Sequence, residues 1–125
     1  MLTKIDAACE FLRGKTSIRP KIAIILGTGL GSFANNIDIT ETISYSEIPG
    51  FKTSTVNGHS GNLLFGHLSG VPVMAMQGRL HFYEGYSMQE ITFPERVMSR
   101  LGVSLLMVSN AAGALNPEYV PGDIM

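Results

Sequence analysis

The sequence is poor in several features that mark particular classes of protein. It has one cysteine, Cys9, so an internal disulfide is excluded and a reducing compartment is expected. No apolar stretch approaches the roughly 18 residues of a membrane-spanning helix. The segment 1–15 carries Asp6 and Glu10 where a secretion signal would be apolar. We therefore expect a cytoplasmic protein with no membrane partner.

Charge clusters and metal-binding patterns are also lacking. Nine Lys and Arg residues against ten Asp and Glu residues give a net charge of -1, and the basic residues form no run. A nucleic-acid partner is therefore not expected, and any anion-binding site has to be local. The three His residues and the single Cys show no metal-ligand spacing, so no metal is expected either.

Length and hydrophobic pattern predict one α/β domain over residues 1–125. With 45% hydrophobic side chains, a chain of this length can bury one core. Two apolar runs separated by Ser69-Gly70 predict a hairpin, so we expect a mixed twisted sheet with flanking helices. The expected elements are a helix ended by Gly14, strands at 21–26, 39–45, 63–68, 71–76 and 103–109, and a helix at 92–101 with Val97, Met98 and Leu101 buried. Capping boxes are predicted at Ser87 with Glu90 and at Thr92 with Glu95.

The segment 71–86, VPVMAMQGRLHFYEGY, contains the strongest candidate for a functional site. An apolar run stops at Gly78, and a polar cluster follows at once. If the chain stays extended, the side chains of Arg79, His81 and Tyr83 project from the same face. Arginine binds phosphate bidentately, histidine adds a tunable donor, and tyrosine adds an apolar ring with a hydroxyl. This combination is typical of a site for an anion and a sugar.

Two further apolar strands also end in polar, glycine-containing segments, GTGLG at 27–31 and NAAG at 110–113. The GTGLG segment lacks the Walker A pattern, and Ser32 stands where a dinucleotide-binding loop has its third glycine. On its own it is equally typical of a tight turn before a short helix. Because ligands bind at the carboxyl ends of strands in open α/β sheets, three such ends side by side predict one pocket.

A loop at 51–61, FKTSTVNGHSG, is crowded with hydroxyl residues around His59. The flanking glycines predict a solvated segment that is able to close over a ligand. His59 has no apolar neighbours in the sequence, so simple exposure explains it as well as a catalytic role does.

Four segments resemble, in order, the trimeric purine nucleoside phosphorylases of the inosine and guanosine type: GTGLG, GHSGNLLFG, MQGRLHFYEGY and NAAGALNPEYVPGDIM. The resemblance covers nearly the whole chain, and MQGRLHFYEGY is its most specific part. It implies cleavage of purine nucleosides by inorganic phosphate, which gives the free base and ribose 1-phosphate. It also implies a homotrimer, with phosphate as the co-substrate and no cofactor.

The same resemblance implies a phosphate site built from the three strand ends and the loop around His59. The residues that would bind phosphate are Thr28, His59, Arg79, His81 and, through its backbone N–H, Ala111. Thr28 stands where the family has a serine, so the hydroxyl is kept.

The catalytic residues implied by the resemblance are His59, His81 and Glu84, and Tyr83 would pack against the ribose. As the glycosidic bond breaks, the sugar becomes cationic, and a positioned phosphate oxyanion stabilises that charge before it bonds to the sugar. The histidines and the carboxylate would hold the phosphate in place, so the chemistry requires no metal.

The family's chain continues past the segment PGDIM, and its base-reading residues lie in that later part. We therefore expect residues 1–125 to be the amino-terminal portion of such an enzyme, with most of the phosphate site and no activity alone. Three alternatives stay open: a methylthioadenosine-type nucleoside phosphorylase, a dinucleotide-binding domain, and a non-catalytic nucleotide-binding module.

Overall fold

The computed structural model describes residues 2–27, 29–53 and 61–125. Within these residues the α-helices are α1 (Leu2–Lys15), α2 (Met88–Ile91) and α3 (Phe93–Leu101). The strands are β1 (Ile22–Leu26), β2 (Asp38–Ser44), β3 (Asn62–Leu68), β4 (Val71–Gln77) and β5 (Leu105–Val108). Short 3₁₀ helices occupy Gly31–Asn36, Tyr45–Glu47 and Phe82–Glu84. None of the helices in the described ranges combines the length and the apolar character that crossing a bilayer requires.

The five strands form one mixed sheet in the order β2-β3-β4-β1-β5, which confirms the predicted fold class. The strands β2, β3 and β4 pair antiparallel, whereas β1 pairs in parallel with β4 on one side and with β5 on the other. The register aligns Leu26 with Gln77 and Ile25 with Val108. The carboxyl ends of β4, β1 and β5 therefore lie side by side at one edge of the sheet.

The predicted hairpin joins β3 and β4. Ser69 and Gly70 both have positive φ angles, 50° and 80°, and Leu68 pairs with Val71 across the turn. Two consecutive residues with positive φ give a turn whose twist matches that of the flanking strands. The turn chemistry alone was therefore sufficient to predict this part of the sheet.

The first helix packs one face against the sheet, formed by the buried residues Ile5, Ala8, Cys9 and Leu12, which recur at helical spacing. The prediction that Gly14 ends the helix is wrong by one residue, because α1 continues to Lys15. The backbone N–H of Thr16 still donates to the carbonyl of Leu12 at 3.2 Å, so the helical hydrogen bonding passes through Gly14.

The start of α3 differs from the prediction. The capping box at Ser87 and Glu90 is present, but the side chain of Thr92 makes no capping bond. Its hydroxyl donates instead to the carbonyl of Met88 at 2.7 Å, because Thr92 also closes the preceding helix α2. The predicted capping box of Thr92 and Glu95 is therefore not formed. Leu101, which was expected to be buried, is only half-buried.

The core lies on both faces of the sheet and follows the alternation of the strands. One face packs against α1 and α3 and includes Ala23, Ile25, Phe65, Met74 and Met76. The other face packs against the 3₁₀ helix Gly31–Asn36 and includes Ile24, Leu26, Leu64, Val73 and Ala75. Burial on both faces explains why β1 and β4 read as continuous apolar runs.

The edge strand β5 is the exception, because its four apolar side chains lie 40% to 57% exposed. Among the described strands it pairs only with β1. The chain after it, at 109–125, forms turns and irregular structure and is largely exposed. An apolar parallel strand is ordinarily covered on both faces, so β5 has the composition of an interior strand at an uncovered position.

Candidate phosphate site at the carboxyl edge of the sheet

Three chain segments meet where β1, β4 and β5 end, as the sequence predicted. A guanidinium N–H of Arg79, which follows β4, donates to the main-chain carbonyl of Ser109, which follows β5, at a distance of 2.8 Å. The backbone N–H of Gly27, which follows β1, donates to the Oγ of Ser109 at 3.1 Å. The three strand ends are therefore joined by hydrogen bonds at a single residue.

The bond to Ser109 orients the Arg79 side chain, which is half-buried at the edge of the sheet. A guanidinium has five N–H donors in a rigid plane, so one bond to a carbonyl leaves it able to bind an anion bidentately. An arginine held in this way loses less conformational freedom when it binds a ligand than an arginine that moves freely in water.

The cluster after Gly78 is brought together by a turn rather than by an extended chain. Gly78 has a φ of 98° and its carbonyl accepts a bond of 2.6 Å from the Tyr45 hydroxyl, so β4 ends at Gln77. The predicted strand at 71–76 is confirmed as β4, and the side-chain alternation that an extended chain after Gly78 would give does not apply. His81 and Tyr83 are nevertheless together, because their rings stack with centroids 4.8 Å apart and an interplanar angle of 10°.

Glu84 supports the backbone of this cluster. Its carboxylate accepts the backbone N–H of His81 at 2.7 Å, at the start of the 3₁₀ helix Phe82–Glu84. Tyr83 lies in that helix with its side chain 81% exposed. The turn thus holds His81 by a bond from its backbone to the carboxylate and by the stacked ring of Tyr83.

The other predicted site residues are placed as follows. Thr28 and His59 lie outside the described residues. Ala111 is described and exposed, two residues after Ser109 in the sequence. The roles assigned to all of these residues by resemblance stay predictions.

Gly27 and Ser109 approach each other closely. A Cβ atom at position 27 would lie 2.6 Å from the carbonyl oxygen of Ser109, the same oxygen that accepts from Arg79. Such a distance is too short for any side chain, so a glycine is required here for steric reasons. Sequence reasoning missed Ser109, although a hydroxyl residue between the apolar run LLMV and the segment NAAG was a signal for it.

The glycine loop after β1 leads into the 3₁₀ helix Gly31–Asn36. A dinucleotide-binding loop opens an α-helix instead, and the amino terminus of that helix binds the pyrophosphate. The fold therefore does not favour the dinucleotide-binding alternative. Within 2–27, 29–53 and 61–125, no cluster of three or more His, Cys, Asp or Glu side chains has the arrangement of a metal site.

Beside the strand ends lies a cavity of about 130 Å³ that extends from Arg79 and Val108 to the start of α3. Its polar lining includes Tyr45 and Glu95. The Oε2 atom of Glu95 is buried and has no hydrogen-bond partner among the described residues. Burial raises the pKa of the Glu95 carboxyl, and burial followed by the charge of Glu95 raises the pKa of the Tyr45 hydroxyl.

Replacement of Glu95 by Gln is expected to stabilise the protein increasingly as the pH rises. The folded state holds the Glu95 proton to a higher pH than the unfolded state, so the free energy of unfolding falls as the pH rises from the ordinary value of 4.5 through the raised pKa. Glu95→Gln removes this loss. Urea unfolding of both proteins between about pH 4 and about pH 8 measures the difference.

The matched control is Glu90→Gln, for which the opposite sign is expected. Hydrogen bonds from the backbone N–H and the hydroxyl of Ser87 lower the pKa of the Glu90 carboxyl. A lowered pKa contributes stability above the unfolded value, and this contribution is lost as the pH falls through the folded value. Glu90→Gln should therefore reduce stability at neutral pH. A difference between parent and Glu95→Gln that does not change with pH would contradict the raised pKa of the Glu95 carboxyl.

The family model described as the phosphorylase superfamily matches residues 21–125. The chain belongs to this superfamily. This phosphorylase chain is 51% identical, over 123 residues, to purine nucleoside phosphorylase 1 of Geobacillus stearothermophilus, with 98% of this chain and 45% of that protein covered. The predicted resemblance to purine nucleoside phosphorylases is confirmed by this similarity.

Solved structures of purine nucleoside phosphorylases share the fold of this phosphorylase chain. The Schistosoma mansoni enzyme in complex with adenosine is 49% identical with a TM-score of 0.89, over 97% of this chain and 42% of that one. A purine nucleoside phosphorylase in complex with ribose-1-phosphate is 50% identical with a TM-score of 0.91, over 98% of this chain and 45% of that one. The chain thus spans less than half the length of these relatives.

Proposed function

We propose that the chain forms the phosphate-binding part of a purine nucleoside phosphorylase. The enzyme would transfer the ribosyl group of inosine or guanosine to inorganic phosphate and release the free base and ribose 1-phosphate. The observation that carries the proposal is the convergence of three strand ends on Ser109, with Arg79 oriented at the same point. The solved relative in complex with ribose-1-phosphate supports a phosphate site in this fold.

Arg79 is the main phosphate ligand in this proposal. Its planar donors match two phosphate oxygens, and its position at the half-buried sheet edge reduces screening by water. Thr28 would contribute its hydroxyl, and Ala111 its backbone N–H. These neutral donors would add hydrogen bonds to the phosphate without adding charge.

The turn at 81–84 would serve the sugar side of the reaction. The exposed ring of Tyr83 offers an apolar face for the ribose, and the ring of His81, stacked on it, provides a donor towards the phosphate. Glu84 would keep His81 in place through its bond to the backbone. His59 would lie at the mouth of the site beside phosphate and sugar.

In the reaction, the bond between the sugar and the purine nitrogen breaks, and its electron pair leaves with the base. The sugar becomes cationic as that bond lengthens, and a phosphate oxygen then bonds to the same carbon. The residues of this chain would hold the phosphate beneath the developing charge, which stabilises the transition state electrostatically. Phosphate is the co-substrate, and we propose neither a metal nor another cofactor.

Three further proposals concern the complete protein. The residues that read the purine would lie in the part of the relatives that this chain does not span. The complete protein would be a homotrimer and would act in the cytoplasm. Each proposal follows from the similarity to purine nucleoside phosphorylases at about 50% identity.

The natural gene product is expected to release hypoxanthine from inosine only when phosphate is present, with an equal amount of ribose 1-phosphate. The polypeptide 1–125 alone is expected to release none. A purine is recognised by paired hydrogen-bonding groups, and in this proposal those groups lie outside residues 1–125. Chromatography of the products, with and without phosphate, measures both expectations.

Three results would contradict parts of the proposal. Release of hypoxanthine without phosphate would indicate hydrolysis instead of phosphorolysis. A preference for methylthioadenosine over inosine would favour the methylthioadenosine-type enzyme. Turnover of inosine by the polypeptide 1–125 would contradict the expected location of the purine-reading residues.

A further inference from the structure

We propose that Ser109 is a positioning residue, which holds the glycine loop after β1 and the guanidinium of Arg79 in a fixed relation. As a statement about phosphate binding, this inference rests on the proposed function. Ser109 follows β5 directly and contacts both neighbouring strand ends. Its carbonyl accepts from Arg79 at 2.8 Å, and its Oγ accepts from the backbone N–H of Gly27 at 3.1 Å.

The hydroxyl of Ser109 bridges two backbone groups of the strand β1 end. It accepts from Gly27 N–H and also donates to the carbonyl of Ile25 at 3.3 Å. The hydroxyl is thus used as donor and as acceptor at once, which fixes its rotation. Since Gly27 is the first residue of the loop 27–31, the bridge sets the direction in which that loop leaves the sheet. Glycine loops bind anions through backbone N–H groups, so this direction matters for a phosphate site.

The backbone of Ser109 is held by the sheet through its N–H group. Its own backbone N–H approaches the carbonyl of Ile25 at 3.4 Å, which continues the pairing of β5 with β1 by one residue. An arginine bonded to the carbonyl of a residue that the sheet holds presents its other donors in a constant direction. Arg79 is therefore positioned by the same residue as the glycine loop, although 30 positions separate it from Ser109 in the sequence.

The chain offers a matched control at the other end of β5. The hydroxyl of Ser104 donates to the carbonyl of Lys21 at 3.4 Å, and its backbone N–H donates to the same oxygen at 2.9 Å. Ser104 therefore bridges β5 to the segment before β1, just as Ser109 bridges it to the segment after β1. Ser104→Ala removes a hydroxyl that flanks the other end of the same strand, at the edge of the sheet opposite the site.

The test compares Ser109→Ala, Ser109→Thr and Ser104→Ala in the natural gene product. Ser109→Ala is expected to raise the KM for phosphate roughly tenfold, with the KM for inosine changed less than about twofold. The variant loses both hydrogen bonds of the Ser109 hydroxyl, which fix the start of the glycine loop, and it keeps the backbone carbonyl that accepts from Arg79. Amide hydrogen exchange of Gly27 should become faster at the same time. Ser109→Thr, which keeps the hydroxyl, should restore both values, and Ser104→Ala should change neither.

The results distinguish the hydrogen-bonded bridge, the positioning role of Ser109 and the proposed function from one another. Unchanged exchange of Gly27 in Ser109→Ala would overturn the bridge. Faster exchange with an unchanged KM for phosphate, or an equal effect of Ser104→Ala, would overturn the positioning role and leave a structural one. A parent protein without any phosphate dependence would overturn the proposed function instead, and the exchange of Gly27 would still decide whether Ser109 holds the loop.

Discussion

Arg79→Lys in the natural gene product is expected to lower kcat/KM for phosphate by roughly tenfold to hundredfold. Lysine keeps the positive charge but lacks the planar fork, so it cannot bind two phosphate oxygens in parallel. The loss corresponds to one charge-assisted hydrogen bond of about 1.5 to 3 kcal/mol. Arg79→Ala should cost more, because it also removes the charge. Initial rates over a range of phosphate concentrations at saturating inosine measure the effect.

Arg19→Lys provides the control for this prediction. Arg19 also donates a guanidinium N–H to a main-chain carbonyl, that of Thr16 at 2.7 Å, but it precedes β1 and so lies at the opposite edge of the sheet. Its replacement should leave the phosphate kinetics within about twofold. If Arg79→Lys behaves in the same way as Arg19→Lys, then Arg79 only links β4 to β5 and the proposed site loses its main ligand.

Gly27→Ala is expected to lower both the stability of the protein and its efficiency with phosphate. The new methyl group would lie 2.6 Å from the Ser109 carbonyl oxygen, 3.1 Å from its carbonyl carbon and 3.2 Å from its Oγ. Two of these atoms belong to the backbone of a paired segment, so the chain has to shift. Such overpacking typically costs about 1 to 3 kcal/mol. Because Arg79 and the Gly27 loop both depend on Ser109, we expect kcat/KM for phosphate to fall more than roughly tenfold.

Gly31→Ala is the matched control within the same loop. A Cβ at position 31 meets no atom within 4 Å. The free energy of unfolding of Gly31→Ala should therefore stay within about 0.5 kcal/mol of that of the parent. Urea unfolding and phosphate kinetics of both variants, measured side by side, test the prediction. Equal behaviour of the two alanine variants would show that the contact between Gly27 and Ser109 has no part in holding the site.

Features that depend on neighbouring residues could be predicted from the sequence. The buried face of α1 follows from the helical spacing of its apolar residues, and the hairpin between β3 and β4 follows from Ser69-Gly70. The three apolar runs that end in glycine-containing segments were also readable, and the parallel pairing of β4, β1 and β5 brings those ends together. In each case the information lies within a window of a few residues, where periodicity and turn chemistry act.

Features for which a residue has several possible hydrogen-bond partners could not be predicted from local sequence patterns. The sequence pattern favours Thr92 and Glu95 as a capping box, but Thr92 bonds to Met88 and Glu95 lines a cavity. A capping motif states which bonds can form locally, whereas the preceding helix α2 decides which bond does form. The end of β4 is a second case. The Tyr45 hydroxyl donates to the Gly78 carbonyl, and the strand ends at Gln77, but nothing in the sequence around Gly78 indicates that Tyr45 is its partner.

The sequence by itself determined that this protein is a phosphorylase-superfamily chain with a mixed sheet and that Arg79 and His81 follow one of its strands. Only the tertiary structure decided that Ser109 joins the candidate site. Its bonds to Gly27 and Arg79 span 82 and 30 positions of the chain, and a serine after an apolar strand has no local property that distinguishes it. Contacts of this kind arise when parallel strands are aligned in register, because the alignment brings together backbone groups from distant segments whose own sequences do not specify a partner.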